Sequence, residues 1–334
     1  STPWTRTSIN RPEVCGLAFR FATIRAITEA LRAVGPILKF DQLADRTISV
    51  LHFLRGGLNF GVIDALNQAY GFNHMFSSFI TSQRYKKAGE WHIKFDQYRK
   101  FAFPPDVNIF VGDCIATGTT MDNGFELIYE KCLADKINIR SLSVFTVGGQ
   151  QAEVILEKYH EKFARSFDYA GTNLFYIEAR FGMPKTAEDF SFCLPGTDLI
   201  RHPALLSPEF ELSQYEKLEY LLERCAVYDI GARVFEFPHH LNDVRDYWVQ
   251  LATLPKTLLE AYHERWPARE YSSFESLVKA KKKIWSDIDR SFLETLYTAY
   301  EKRHRTELNA AARQPDSLNR FAMNRIREIE RLMK

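Results

Sequence analysis

At 334 residues, with 46% hydrophobic and 26% charged side chains, the chain has the composition of a globular protein of one large or two ordinary domains. A net charge of +2 gives no global nucleic-acid signature, and five cysteines (15, 114, 132, 193 and 225) without C-x-x-C spacing suggest neither a disulfide framework nor a zinc site. No apolar run approaches the roughly 18 residues of a membrane helix, and Ser1–Arg6 does not look like a signal peptide, so a cytoplasmic location without a membrane partner is expected.

In chain order, Thr47–Leu54 predicts a strand, Leu58–Tyr70 a helix, and Met75–Thr81 and Val107–Asp113 two further strands. Helical spacing over Phe125–Leu133, a strand at Ile139–Val147, a helix at Gln151–Phe163 and a strand at Leu174–Ala179 follow. Near-continuous apolar strands separated by helices predict an α/β fold, a parallel sheet covered by helices on both faces. Ligands of such sheets bind at the carboxyl ends of the strands. From Ser207, an N-cap serine followed by Pro208, the chain turns helical. Stripes at Leu212–Cys225, Val244–Leu251 and Leu258–Trp266 precede one long helix from Phe274 to Tyr300 and a last one through Leu318–Leu332. The expected domains are therefore 1–206, α/β, and 207–334, all-α.

Two strand ends carry chemistry. In Ile109–Thr120 (IFVGDCIATGTT) an apolar strand reaches Asp113, then a turn of small and hydroxylated residues, Ala116, Thr117, Gly118, Thr119 and Thr120, opens a helix. Backbone N–H groups, hydroxyls and the positive end of a helix dipole converge there into a phosphate cradle. Asp113 repels a phosphate but suits a neighbouring ribose diol or Mg²⁺. At Leu54-Arg55-Gly56-Gly57 a guanidinium stands beside backbone that a ligand can approach closely. Between strands, the polar stretch Phe79–Lys100 with Arg84, Lys86, Lys87, Arg99 and Lys100 has the length and character of a lid.

These stretches, in this order, resemble the type I phosphoribosyltransferase family, nearest its uracil phosphoribosyltransferase-like branch. Asp113–Thr120 resembles the family's 5-phosphoribosyl 1-pyrophosphate (PRPP) signature, with Gly112 where its first acid is expected. Leu54–Leu58 resembles its pyrophosphate loop, which often carries a cis non-proline peptide. Gln83-Arg84 and Tyr98-Arg99-Lys100 resemble its lid clusters, and Pro195, Gly196 and Asp198 its base hood. Ala116, where purine-specific relatives often carry an acid, is similar to the uracil and orotate branches.

The resemblance implies Mg²⁺-dependent transfer of phosphoribose between PRPP and a pyrimidine-like nucleobase, with release of pyrophosphate. It assigns Ala116, Thr117, Gly118, Thr119 and Thr120 to the 5′-phosphate, Asp113 to ribose or Mg²⁺, and Arg55, Gly56, Gly57 and Arg84 to pyrophosphate. A homo-oligomer is expected. The alternative is a weak or inactive PRPP or nucleotide sensor on the same fold, acting through 207–334 on a protein or nucleic-acid partner. Residues 279–334 hold 14 Lys and Arg against 8 Asp and Glu, an excess of 6, which suits nucleic acid or simply a solvated helix face.

Overall fold

The computed structural model describes residues 1–87, 90–183, 200–224, 230–265, 271, 273–313 and 317–334. It divides into two compact units that are discontinuous in sequence. A sheet unit comprises Cys15–Arg180 and Asp229–Phe237; a helical unit comprises Ser1–Val14, Phe181–Tyr228 and Pro238–Lys334.

After α1 (Pro3–Asn10) come α2 (Gly16–Leu38), β1 (Ile48–Phe53), α3 (Val62–Tyr70), β2 (Phe76–Lys87), β3 (Glu90–Lys100) and β4 (Asp106–Ile115). Next are α4 (Thr119–Asp135), β5 (Asn138–Gly149), α5 (Gln151–Ser166) and β6 (Gly171–Gly182). The strands of the sheet unit lie in the order β3-β2-β1-β4-β5-β6. β1 pairs in parallel with both β2 and β4, and β4 with β5. β6 runs the same way as β5: Ala170 N–H donates to the Arg140 carbonyl (2.7 Å), Asn173 to Ser143 Oγ (3.2 Å) and Tyr176 to the Gly149 carbonyl (3.1 Å).

Alternation along these strands sends side chains to two covered faces. Leu51, Phe53, Ile109 and Val111 pack with Met121, Phe125 and Ile128 of α4 and Ile155, Leu156 and Phe163 of α5. On the opposite face the Phe110 ring meets Phe40 edge-on at 5.2 Å, and Gly112 faces Phe60 and Val62. The expected α/β sheet with helices on both faces is what forms.

The sheet unit differs from the local sequence pattern, or adds to it, at three places. The helix predicted over Leu58–Tyr70 is a 3-10 turn (Gly56–Phe60), then Gly61 at φ +57°, then α3. Gly61 permits that break because it carries no Cβ; one would lie 2.3 Å from Ile24 Cγ1. The polar stretch expected to have the character of a lid carries two paired strands, β2 and β3, antiparallel from Phe79↔Lys100 to Lys87↔Glu90. Its alternating Trp91, Ile93 and Phe95 are the strand signal that its charges masked. Helix α2 is not among the expected elements, and Phe19, Ile24, Ile27 and Leu31 form its buried stripe.

The helical unit adds β7 (Ile200–Leu206), α6 (Pro208–Ser213) and α7 (Leu218–Leu222). Ser207 caps α6 as expected, its Oγ accepting the Phe210 N–H at 3.3 Å. The short helix α8 (Ile230–Phe235) belongs to the sheet unit. There follow α9 (Phe237–Ala252), α10 (Leu258–Arg265), α11 (Phe274–Lys281), α12 (Arg290–Ala312) and α13 (Ser317–Leu332).

The single helix expected from Phe274 to Tyr300 is thus two. Trp285 is buried and donates its indole N–H to the Leu206 carbonyl (3.1 Å), while Asp289 starts α12 by accepting the Phe292 N–H (2.9 Å). Trp248, Tyr215, Tyr262 and Leu222 are buried in this unit. Arg325 is buried there too, paired with Glu13 at 2.6 Å and Glu223 at 3.7 Å. Burial alone would lower the Arg325 pKa, but Glu223 and Glu13 together raise it above the ordinary arginine value. Among the described residues, no helix is long and apolar enough to cross a membrane.

Candidate functional site at the carboxyl ends of β1 and β4

The parallel pairing Leu51↔Val111 carries β1 and β4 to the same edge of the sheet. β1 leaves it through Leu54, whose N–H donates to the Ile80 carbonyl of β2 (2.8 Å), and the Leu54–Arg55 peptide is cis, where the resemblance places such a bond. The chain then turns through Gly56 and Gly57. A Cβ on Gly56 would lie 3.1 Å from Asp113 Oδ1, and one on Gly57 would lie 3.2 Å from the Gly112 carbonyl oxygen. Two stretches more than fifty residues apart in sequence therefore close on one another, backbone to carboxylate.

Asp113 is half-buried and its Oδ1 accepts the Cys114 N–H at 2.8 Å. Ala116 and Thr117 form the turn after β4, and Gly118 is the N-cap of α4 at φ +75°. As a glycine, this N-cap has no side chain with which to cap the helix. The first-turn N–H groups lack intrahelical acceptors by geometry, so they point their partial positive charge out of the helix end. Thr117 Oγ1 and Thr119 Oγ1 stand 3.2 Å apart, bringing two hydroxyls together at the turn. Gly118 is required twice over, by its positive φ and because a Cβ would lie 2.0 Å from Ile155 Cδ1.

Gly112 has a physical reason. A Cβ there would lie 2.4 Å from Phe60 Cβ and 2.8 Å from both Phe60 Cγ and Val62 Cγ2. The position expected to hold an acid is filled from the neighbouring turn.

Of the expected residues, the structure brings Gly56 against Asp113 and Gly57 against Gly112, with Arg55 next to Gly56 in the chain and Ala116–Thr120 on the connection that follows Asp113. Arg84 lies on β2 opposite Ile93, and its side chain is outside the described atoms. Pro195, Gly196 and Asp198 are outside the described residues.

Three residues near the site escaped sequence reasoning. His52, on β1, is buried and stacked on Phe79 at 5.1 Å, and burial holds its pKa below the ordinary histidine value against the opposing pull of Gly57 and Asp64. Asn59, fully buried, donates its amide to the Ile230 carbonyl. Glu236 forms a two-pronged ion pair with Arg55, from 181 residues away. A histidine within an apolar strand carries a faint signal; the other two carry none.

No protein-family model matches the chain, and no curated protein matches it. Several solved structures resemble parts of it. A protein of Aquifex aeolicus is 16% identical, with a TM-score of 0.36, over 53% of this chain and 83% of its own. A hypoxanthine phosphoribosyltransferase of Staphylococcus aureus is 21% identical, with a TM-score of 0.26, over 37% of this chain and 64% of its own. A purine phosphoribosyltransferase of Pyrococcus horikoshii is 14% identical, with a TM-score of 0.25, over 53% and 89%.

Proposed function

We propose that the sheet unit binds PRPP and transfers its phosphoribosyl group to a pyrimidine-like base, releasing pyrophosphate. The observation that carries this reading is the closure of Gly56 on Asp113, on the same connection that ends in the glycine N-cap of α4. One edge of the sheet then offers separate places for the three parts of PRPP. The turn Ala116–Thr120 would take the 5′-phosphate through N–H and hydroxyl donors. Asp113 would accept from the ribose hydroxyls. Arg55 and the backbone of Gly56–Gly57 would meet the pyrophosphate, with Arg84 contributing from β2.

In the reaction a base nitrogen bonds to ribose C1 as the bond from C1 to the pyrophosphate oxygen breaks. The electron pair leaves on pyrophosphate and the base loses its proton to solvent. Negative charge grows on the leaving group, so Arg55 would act where the transition state differs most from the bound substrate. The hood Pro195, Gly196 and Asp198 would face the base.

Mg²⁺ fits this donor set as an ion held chiefly by its substrate. Among the described residues there is no cluster of three or more ligating side chains, so pyrophosphate oxygens, water and Asp113 would complete its shell. Bound there, it would supply charge neutralisation of the leaving pyrophosphate.

A second reading has its own support: a PRPP sensor, acting through 207–334 on a protein or nucleic-acid partner. The packing of Phe60 and Val62 against Gly112 leaves no room for a second acid beside Asp113 on β4. Incubation with PRPP, Mg²⁺ and a panel of pyrimidine and purine bases, followed by pyrophosphate release, separates the two. Release with a pyrimidine supports the transferase. Binding of PRPP without release from any base supports the sensor, and absence of PRPP binding refutes both.

A further inference from the structure

The guanidinium assigned above to pyrophosphate already holds an anion. Arg55 donates from Nη1 and Nη2 to the two carboxylate oxygens of Glu236, the latter bond measuring 3.1 Å, and both side chains are 49% exposed. This fork-to-fork geometry is the one in which arginine binds phosphate oxygens, so carboxylate and pyrophosphate compete for the same donors.

Glu236 is held in that position. It directly follows α8, and its N–H donates to the Ala232 carbonyl at 2.9 Å. At the start of α8 the Ile230 carbonyl accepts from Asn59, a residue of the same 3-10 turn that carries Gly56 and Gly57. In its middle, Arg233 is 2% exposed and lies over the Phe19 ring at 4.1 Å. A segment from the carboxyl-terminal half of the chain is thereby anchored to the glycine turn, with its last carboxylate on the arginine.

We infer that Glu236 is an internal competitor for the pyrophosphate subsite, so that a ligand bearing pyrophosphate binds only by taking Arg55 from it. This regulation rests on the assignment of Arg55 to pyrophosphate. A ligand carrying only the 5′-phosphate and ribose has no need of Arg55 and escapes the competition. The site therefore discriminates against weakly held anions, because each ligand pays the opening of the pair before it gains the arginine.

The test is calorimetric titration of the full chain with Mg²⁺–pyrophosphate, Mg²⁺–PRPP and ribose 5-phosphate, in the wild type and in Glu236→Gln. The expected result is about three- to five-fold tighter binding of both pyrophosphate-bearing ligands to the variant, the range open to a half-exposed bidentate pair. Ribose 5-phosphate should bind both proteins equally. Adding Arg55→Ala to Glu236→Gln should remove the gain. Unchanged or weaker pyrophosphate binding by Glu236→Gln, with ribose 5-phosphate still bound, overturns the competitor role alone; weaker binding would mean that Glu236 positions Arg55. If neither protein binds any of the three ligands, the PRPP assignment fails and the competitor role falls with it. Amide exchange gives a second reading on the wild type: pyrophosphate should speed exchange across 230–237, and slowed exchange there overturns the proposal.

Discussion

Restoring an acid at position 112 tests how far packing dictates this site's chemistry. On the resemblance alone, Gly112→Asp should repair a missing ribose or metal contact and raise turnover. The structure predicts the opposite. The new Cβ would sit 2.4 Å from Phe60 Cβ, against about 3.5–4.0 Å for an ordinary carbon contact. Phe60 Cβ is attached directly to backbone, so no rotamer relieves the overlap and the 3-10 turn itself has to move. Overpacking of this kind costs about 1–3 kcal/mol, which is the loss expected for Gly112→Ala. Gly112→Asp should lose about 1–3 kcal/mol more by burying a carboxylate against Phe60 and Val62 without a partner.

Because the displaced turn carries Gly56 and Gly57, binding of PRPP should weaken in parallel. Urea denaturation reads the stability, through the midpoint at constant slope, and titration with Mg²⁺–PRPP reads the site. Gly56→Ala is the contrast: its Cβ meets only the end of the Asp113 carboxylate, at 3.1 Å, so it should alter stability little while weakening PRPP. An unchanged midpoint for Gly112→Ala, or a gain in turnover for Gly112→Asp, would refute the packing argument.

Asp113→Asn keeps the shape of the side chain but removes the charge proposed to meet the ribose, and on that proposal should lower pyrophosphate release about 10- to 100-fold, the loss of one charge-assisted hydrogen bond, at nearly constant melting temperature. Arg325→Met removes the buried cation that Glu13 and Glu223 share, leaving Glu13 with Arg11 and Glu223 with the Trp248 indole N–H, and should cost about 3 kcal/mol by chemical denaturation, whereas the exposed pair Lys131–Asp135 should be dispensable. His52 has a folded pKa below its unfolded value near 6.5, so the unfolded chain takes up the proton first as the pH falls. Its contribution to stability is therefore complete above about pH 6.5 and is lost as the pH drops through the folded value. Replacing it by Asn should shrink the difference in melting temperature between about pH 7.5 and about pH 5.5; an undiminished difference would remove His52 as its source.

Much of this was legible along the chain. The short, near-continuous apolar runs around Val50 and Phe110, rich in β-branched and aromatic residues, read as central strands buried on both faces. Ala116–Thr120 announced a strand-to-helix turn because small and hydroxylated residues are what such a turn demands. Ser207-Pro208 marked a helix start by the same local logic, and Ser207 does cap it. Where reading failed, a local pattern met a distant requirement. The run from Phe274 to Tyr300 keeps helical spacing throughout, yet Trp285 breaks it to reach the Leu206 carbonyl, 79 residues away. Charges on Phe79–Lys100 outweighed its aromatic alternation, which only a neighbouring strand turns into a ladder.

What the sequence by itself determined is the alphabet of the site: a cradle after one strand, an arginine and two glycines after another, one acid where a pair is expected. These are decided within a few residues by φ, by donors and by charge. What only the tertiary structure decided is who meets whom. Gly56 closes on Asp113, Phe60 fills the space above Gly112, and Glu236 reaches Arg55 from the far half of the chain. Contacts of that kind depend on which surfaces bury one another, and a linear pattern carries no record of a partner nearly two hundred residues away.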